Sequence, residues 1–163
     1  MSAIISPCGL YRYRLDRFLT PTGPRMTVTF VMLNPSTADA DLDDPTIRRC
    51  KGFAVKWNYA HLVVVNLFAF RATNPKELLT AKDPVGPDNF IQVRNALDHS
   101  DRTILAWGDY ERYRHLLGRG LLEAVLGSRH QTYALAVNKS GHPRHPLYVP
   151  AATQPVPYPV PRS

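Results

Sequence analysis

The chain has 163 residues, 44% hydrophobic and 20% charged, a composition typical of a soluble globular domain and not of a disordered or fibrous protein. A chain of this length buries about 70% of its unfolded surface, so it can fold without a disulfide or a metal. The net charge of +7 is compatible with a polyanionic partner such as nucleic acid but does not alone indicate one.

Membrane spans and cysteine-rich metal sites are also excluded by the sequence. No window approaches the roughly 20 apolar residues of a membrane span, and the first residues lack the charge order of a signal peptide, so we expect a cytoplasmic protein. The two cysteines, Cys8 and Cys50, cannot form a four-cysteine zinc or iron–sulfur site within one chain. We expect both to be buried thiols.

Apolar periodicity predicts alternating strands and helices, beginning with a pair of strands at residues 11–15 and 27–33. Residues 21–24 supply the turn between them. The second strand ends in a nearly unbroken apolar run, which is typical of a central strand covered on both faces. A helix is predicted at residues 46–56, because two acids precede it and a proline occupies its first turn.

The second half of the chain continues the alternation. Strands are expected at residues 61–65, 103–107 and 133–137, and helices near residue 75, at 89–97 and at 110–126. Gly118 and Gly120 could break the last helix. From residue 150 onward, five of 14 residues are proline, which predicts a tail that is extended, packed along the surface or disordered.

The alternation of strands and helices predicts an α/β fold in a single domain, residues 1–149, followed by a proline-rich tail, residues 150–163. We expect a three-layer α/β/α sandwich with a mainly parallel central sheet of four or five strands. Ligands bind beyond the carboxyl ends of the strands in such sheets. Polar or glycine-containing loops follow four of the strands, at residues 34–37, 66–68, 108–110 and 138–142. The sequence therefore predicts one cleft formed by four loops.

Asn34, Pro35 and Ser36 open the first of these loops. In a structural interpretation, Asn34 bonds its own backbone in a turn and Ser36 or Thr37 caps a helix. In a functional interpretation, Asn34 is a fixed amide that orients a water molecule or binds a ligand edge, while backbone N–H groups of the loop face an anion.

Four of the thirteen acidic residues follow within six positions, as Asp39, Asp41, Asp43 and Asp44. They are a solvated loop, a cation-binding cluster or the source of a general base beside Asn34. The spacing lacks the glycine and the terminal glutamate of a calcium loop. Asp44 also fits the start of a helix, so its two roles stay open.

Asn66 directly follows four apolar residues. An amide at the end of a buried strand needs partners, and its donor and acceptor match a pyrimidine edge; the alternative is an amide that ties two loops together. Phe68 and Phe70 come next. Both rings suit the core, but one beside a cleft could stack on a base.

The loop at residues 141–148 carries His142, Arg144 and His145 between prolines, a set that packing alone explains poorly. Either histidine could donate to an oxygen that gains negative charge, and Arg144 could attract phosphate. No third ligand has suitable spacing for a metal, so we predict neither a metal nor a cofactor.

Five short sequence motifs occur together in this chain, and their combination is specific. They are Asn34-Pro-Ser-Thr-Ala38, Asp44-Pro-Thr-Ile-Arg-Arg49, Val65-Asn-Leu-Phe68, Ala106-Trp-Gly108 and Arg144-His-Pro-Leu-Tyr148. Together they resemble an uncharacterised bacterial and phage family, domain of unknown function 1643. The resemblance spans about residues 8–149 and implies no activity, because the family has none assigned.

The ends of four predicted strands carry a second, more distant similarity. Leu33-Asn-Pro-Ser36, Val64-Val-Asn-Leu67, Leu105-Ala-Trp-Gly-Asp-Tyr110 and Asn138-Lys-Ser-Gly-His-Pro-Arg-His-Pro-Leu147 occur in the order of the motifs of the uracil-DNA glycosylase superfamily. The resemblance implies a uracil-DNA glycosylase-like fold. It implies that Asn34 positions the attacking water, that Asn66 reads the extruded pyrimidine and that Phe53 stacks on the base.

The last of these motifs also implies a histidine that stabilises the departing base. Both His142 and His145 fit that place, and His145 is favoured because Pro146 and Leu147 follow it as in the superfamily. Ser36 departs from the pattern, since the superfamily has a glycine there.

The leading hypothesis is a monomeric DNA glycosylase-like hydrolase that cleaves the N-glycosidic bond of a base extruded from DNA. The alternatives are a non-catalytic binder of modified bases or nucleotides and an enzyme acting on free nucleotides or nucleosides. The catalytic residues would be Asn34, Asp44, His145 and His142. The expected base-binding residues are Pro35, Ser36, Phe53, Asn66, Phe68, Gly108, Asn138 and Ser140, and the expected phosphate contacts are Lys139, Arg144 and Arg71.

Overall fold

Seven strands form one mixed sheet in the computed structural model, which describes residues 2–20, 24–36, 42–127 and 131–159. The strands are β1 Ser2–Ile5, β2 Arg12–Phe18, β3 Thr27–Met32, β4 His61–Asn66, β5 Arg102–Leu105, β6 Thr132–Ala134 and β7 Val156–Pro157. Their order across the sheet is β1-β2-β4-β3-β5-β6-β7. The four central strands β4, β3, β5 and β6 are parallel, and the pairings at the two edges are antiparallel.

Helices cover both faces of this sheet. They are α1 Pro45–Lys56, α2 Asn89–Asp98 and α3 Arg119–Leu126, with short 3-10 helices at Pro75–Leu79, Glu111–Leu116 and Pro146–Tyr148. Side chains alternate along β4, so that Leu62 and Val64 pack with α1 while Val63 and Val65 pack with α2 and α3. The three predicted layers are therefore present. No helix in the described part of the chain is long and apolar enough to cross a membrane.

The parallel centre of the sheet was predictable, but its edges were not. The expected four or five strands are seven, because β1 and β7, with four and two residues, are too short to show an alternating pattern. β2 and β3, expected as a pair, are separated by β4. Most of the turn assigned to them, residues 21–23, lies outside the described residues. A strand pattern identifies a strand but not its neighbour in the sheet.

The tail and the last helix also differ in detail from the expectation. The tail packs along the sheet edge, since β7 pairs with β6 and Tyr158 is buried. The helix expected at residues 110–126 is two helices, and extended backbone at Gly118 begins the second. Cys8 is exposed, contrary to the prediction, whereas Cys50 is fully buried and its burial raises the pKa of the thiol.

Candidate functional site

A pocket of about 200 Å³, here called the inner pocket, opens where the parallel strands β3, β4 and β5 end. Parallel neighbours end at the same edge of a sheet, so residues that follow them meet. Five of the predicted site residues line this pocket: Asn34, Ser36, Asp44, Asn66 and His145.

The amide of Asn34 is fixed by two backbone carbonyls. Its Nδ2 donates to the carbonyl oxygen of Pro35 at 3.1 Å and to that of Ala72 at 2.9 Å. Two acceptors on one side identify that side as the NH₂ group, so Oδ1 is turned away from them. Oδ1 makes no hydrogen bond to a described residue and is an acceptor for a water molecule or a ligand. Pro35 itself is buried and does not line the pocket.

Asp44 joins the first loop to α1. Its Oδ1 accepts a hydrogen bond from the backbone N–H of Ile47 at 2.8 Å, which caps the helix as predicted. Its Oδ2 accepts from the hydroxyl of Ser36 at 2.6 Å. Each carboxylate oxygen is thus engaged, and Asp44 holds Ser36 in the wall of the pocket. Its action as a general base stays a prediction.

The acidic run does not gather around a cation site in the described part of the chain. Asp43 accepts hydrogen bonds from Arg17 and Lys51, both at 2.7 Å. Burial alone would raise the pKa of Asp43, but these two bonds lower it. Among the described residues, no three His, Cys, Asp or Glu side chains are placed to hold a metal ion. Asp39 and Asp41 lie outside the described residues.

Two buried donors in the pocket wall have no partner among the described residues. They are Nδ2 of Asn66 and Nε1 of Trp107, and these two residues are only 2% and 3% exposed. Leaving a buried donor unpaired costs about 1–3 kcal/mol. The side chain of Asn66 makes no hydrogen bond to a described residue, whereas Nδ2 of Asn89, at the start of α2, donates to the backbone carbonyl oxygens of Asn66 and Leu67. Unpaired donors in a pocket wall suit a ligand that brings acceptors.

His145 presents a neutral N–H donor. Its Nδ1 accepts from the backbone N–H of Leu147 at 3.3 Å, so the ring proton is on Nε2. Burial lowers the pKa of His145, although the nearby carboxylate of Asp44 acts to raise it. Arg49 of α1 holds the following turn by donating to the carbonyl oxygens of Pro146 and Val149.

A buried arginine that the sequence interpretation missed also lines the inner pocket. Arg12 is 3% exposed. In the pairing of β1 with β2, Ile4 lies opposite Arg14 and the next residue, Ile5, lies opposite Arg12. Tyr13 is therefore an extra residue in β2, with no residue of β1 opposite it. Such a bulge reverses the side-chain alternation and turns Arg12 toward the pocket. Burial lowers the pKa of Arg12 to about 10, although the carboxylate of Asp44 acts to raise it. At this pKa the guanidinium is still charged at neutral pH.

The family assignment follows from a comparison that covers this whole site. A family model described as "Protein of unknown function (DUF1643)" matches residues 12–147. The chain belongs to this family. The match begins at Arg12 and ends two residues after His145, so every side chain of the inner pocket lies within it. No curated protein and no solved structure matches the chain.

The fourth loop of this DUF1643 protein lies at a separate, larger cleft. The outer cleft, about 700 Å³, is lined among others by Trp107, Tyr110, Arg114, Ser140, His142 and Tyr158. His142 places Nε2 at 3.1 Å from Oε1 of Glu111 and its ring at 4.8 Å from that of Tyr110. The expected single cleft is therefore two, because residues 138–142 fold back in a turn. Only Trp107 among these six residues lines both.

The two phenylalanines expected to stack on a base are core residues. Phe53 is 1% exposed and stacks on Trp57 with 5.3 Å between ring centres, and Phe68 is fully buried near α2 and α3. Neither ring lines the inner pocket. Phe70 is partly buried and packs edge-on against Tyr11. Large apolar side chains mostly complete the core, and Phe53 in α1 and Phe68 after β4 both do.

The remaining predicted residues surround the site without lining the inner pocket. Gly108 has a positive φ of 75° and donates its N–H to the carbonyl oxygen of Pro143, next to His145. Asn138 closes the turn to Gly141 through its backbone. Lys139 and Arg144 are exposed, and Arg71, whose charge adds to the effect of burial in lowering the pKa of the neighbouring Arg12, donates to the carbonyl oxygen of Gly9.

Proposed function

We propose that this DUF1643 protein is a DNA glycosylase-like hydrolase that accepts an extruded base in the inner pocket and cleaves its N-glycosidic bond. The carrying observation is that a fixed acceptor, Oδ1 of Asn34, and a neutral donor, Nε2 of His145, line one small pocket with the unpaired amide of Asn66.

The size of the inner pocket supports a single base as its occupant. Its volume of about 200 Å³ is below the roughly 300–1,000 Å³ of clefts that bind drug-sized ligands. One heterocyclic ring is of suitable size, whereas a whole nucleotide is too large. A base in DNA enters such a pocket only after it has left the stack. The amide of Asn66 offers a donor and an acceptor, the pair that a pyrimidine edge requires.

The polar groups match the charge that develops in glycosidic cleavage. The bond to the base nitrogen breaks while a water molecule adds its oxygen to the anomeric carbon, through an oxocarbenium-like sugar and an anionic base, and the proton that the water loses ends on the released base. Oδ1 of Asn34 would accept a hydrogen bond from that water and orient it. Nε2–H of His145 would donate to an oxygen of the departing base, as a preorganised donor does in other enzymes.

Charge and motif order support DNA as the partner and extend the proposal to the fold. The net charge of +7, with Lys139 and Arg144 exposed on the loop that precedes His145, favours phosphate contacts. The four motifs at strand ends support a uracil-DNA glycosylase-like arrangement of the central parallel strands.

A non-catalytic binder of modified bases is the second candidate function. Among the described residues, Asp44 is the one carboxylate that lines the inner pocket, and both its oxygens already accept hydrogen bonds. A pocket without an unengaged base would bind its ligand and leave the glycosidic bond intact.

A single-turnover assay separates the two candidates. The protein is mixed in excess with single-stranded and duplex oligonucleotides that each contain one modified base, and the freed bases are identified by mass spectrometry. Release of a base that is lost in Asn34→Ala but kept in Asn95→Ala, an exposed helical control, supports the hydrolase. Saturable binding without release supports the binder, and turnover of mononucleotides alone contradicts the DNA substrate.

A further inference from the structure

The outer cleft is a second concave site that the proposed glycosidic reaction does not use. Its volume, about 700 Å³, falls within the range of clefts that hold ligands of nucleotide size. Rings of Tyr110, His142 and Tyr158 contribute to its wall, and Val137, 45% exposed, adds an apolar surface.

Trp107 connects the outer cleft with the inner pocket. Its indole lines both, and its Nε1 is a buried donor with no partner in the described part of the chain. The inner pocket and the outer cleft are therefore neighbours that share this one side chain.

We propose that the outer cleft binds the nucleotide adjacent to the one whose base enters the inner pocket. The substrate is then an unpaired stretch of at least two nucleotides and not a free nucleotide. This inference rests on the proposed function, since it takes the inner pocket to be the base site. Aromatic walls suit a neighbouring base because every base has a face that can stack, whatever its sequence.

The charges at the cleft agree with a nucleotide as the occupant. Arg114 lines it with a side chain 67% exposed, where its guanidinium can reach a phosphate. The carboxylate of Glu111, also in the wall, is shared between His142 at 3.1 Å and Arg114 at 3.6 Å. Oδ1 of Asp109 lies 3.8 Å from the same Nε2 of His142, so two acids and two basic side chains are grouped here.

The test compares ligands of increasing length. Binding of thymidine 5′-monophosphate and of oligothymidylates with two, three and four residues is measured by calorimetry at one salt concentration. The inference predicts that the second residue tightens binding about tenfold or more, as expected for one stacked base. Arg114→Ala and Ser140→Trp, which places an indole in the cleft, should abolish most of that gain. Arg112→Ala is the matched control, because Arg112 is exposed on the same 3-10 helix and does not line the cleft.

The outcomes distinguish this inference from the proposed function. Suppose that the monophosphate binds, that Asn66→Ala weakens this binding and that a second nucleotide does not tighten it. The inference about the outer cleft is then overturned, while the inner pocket remains supported as the base site. Equal effects of Arg114→Ala and Arg112→Ala also overturn it, because they indicate general charge and no cleft. Failure of every ligand to bind contradicts both.

Discussion

Nδ1 of His145 accepts a hydrogen bond from the backbone N–H of Leu147 at 3.3 Å, and this contact fixes the proton of the ring on Nε2. Because burial lowers the pKa of His145, the ring is neutral at and above pH 7. The histidine is therefore a neutral donor toward the inner pocket, unlike an imidazolium that loses its proton near neutral pH.

The rate of base release should consequently be flat from about pH 7 to pH 9. As pH falls through the lowered pKa, Nδ1 becomes protonated, the bond from Leu147 is lost and the rate changes. Single-turnover rates at each pH check this, with His145→Ala and His142→Ala compared at pH 7.5. A rate that declines as pH rises through 7, or a loss confined to His142→Ala, would contradict the assignment of His145.

Replacing Asn34 should lower both the rate of base release and the stability of the fold. Asn34→Ala removes the acceptor for water, and we expect the rate to fall about a hundredfold or more, comparable to the loss of a preorganised polar group. It also removes two hydrogen bonds to backbone carbonyls, which lowers the free energy of unfolding by about 1–3 kcal/mol. Single-turnover kinetics and urea unfolding measure both effects. A rate within a few-fold of wild type would make Asn34 a turn residue only.

Substitutions of Asp44 test its role as a helix cap. Asp44→Ala should lower the free energy of unfolding by about 1 kcal/mol, because the N–H of Ile47 loses its acceptor. Asp44→Asn keeps an amide oxygen for that bond and should retain most of the stability. Urea unfolding of the two variants decides this point. If Asp44→Ala and Asp44→Asn are equally destabilised, Asp44 stabilises the fold through its charge and not through the helix cap.

Part of the candidate site could be predicted from the sequence. Asn34 and Asn66 were predictable because an amide after an apolar run marks the end of a buried strand, and such ends meet in a parallel sheet. His145 lines the inner pocket and His142 does not, and the preference for His145 rested on the likeness of Pro146-Leu147 to the superfamily and on the stiffness of Pro146. Asp44 was open between two roles, and the structure confirms the helix cap.

The rest depended on contacts that a linear pattern does not encode. Arg12 enters the pocket through a bulge of one residue, which reverses the alternation on which a strand prediction relies. The separation of His142 from the pocket results from a tight turn between Asn138 and Gly141. Phe53 and Phe68 follow the general rule that large apolar side chains are buried, although the motif comparison had assigned Phe53, and its place after β4 had suggested Phe68, to base stacking.

The ion pair between Arg17 and Asp43 should make stability depend on pH in the acid range. Arg17 is 1% exposed, so removing the carboxylate of Asp43 leaves its buried charge without that partner. Asp43→Asn should therefore lower the free energy of unfolding by about 3 kcal/mol at pH 7. Since the folded pKa of Asp43 is lowered, its contribution is complete above the unfolded value near 4 and is lost as pH falls through the folded pKa.

Unfolding midpoints of wild type and Asp43→Asn from pH 7 to pH 2 measure this effect. The two curves should converge as pH falls below 4. Asp98→Asn, an exposed change at the end of α2, is the control and should stay close to wild type throughout. A gap between wild type and Asp43→Asn that stays constant at pH 2 would contradict the ion pair as its cause.

The central claim, that a base enters the inner pocket, is tested most directly by the indole N–H signals of the two tryptophans in a nuclear magnetic resonance titration. Trp107 lines both the inner pocket and the outer cleft, so the Asn66→Ala variant is needed to assign its shift to the inner pocket. Trp57 packs on Phe30 and Phe53 and serves as an internal control. On addition of a single-stranded oligonucleotide with a non-hydrolysable 2′-fluoro nucleotide, the Trp107 signal should shift and the Trp57 signal should not, and Asn66→Ala should abolish the shift. Saturated binding that leaves the Trp107 signal in place would contradict the claim.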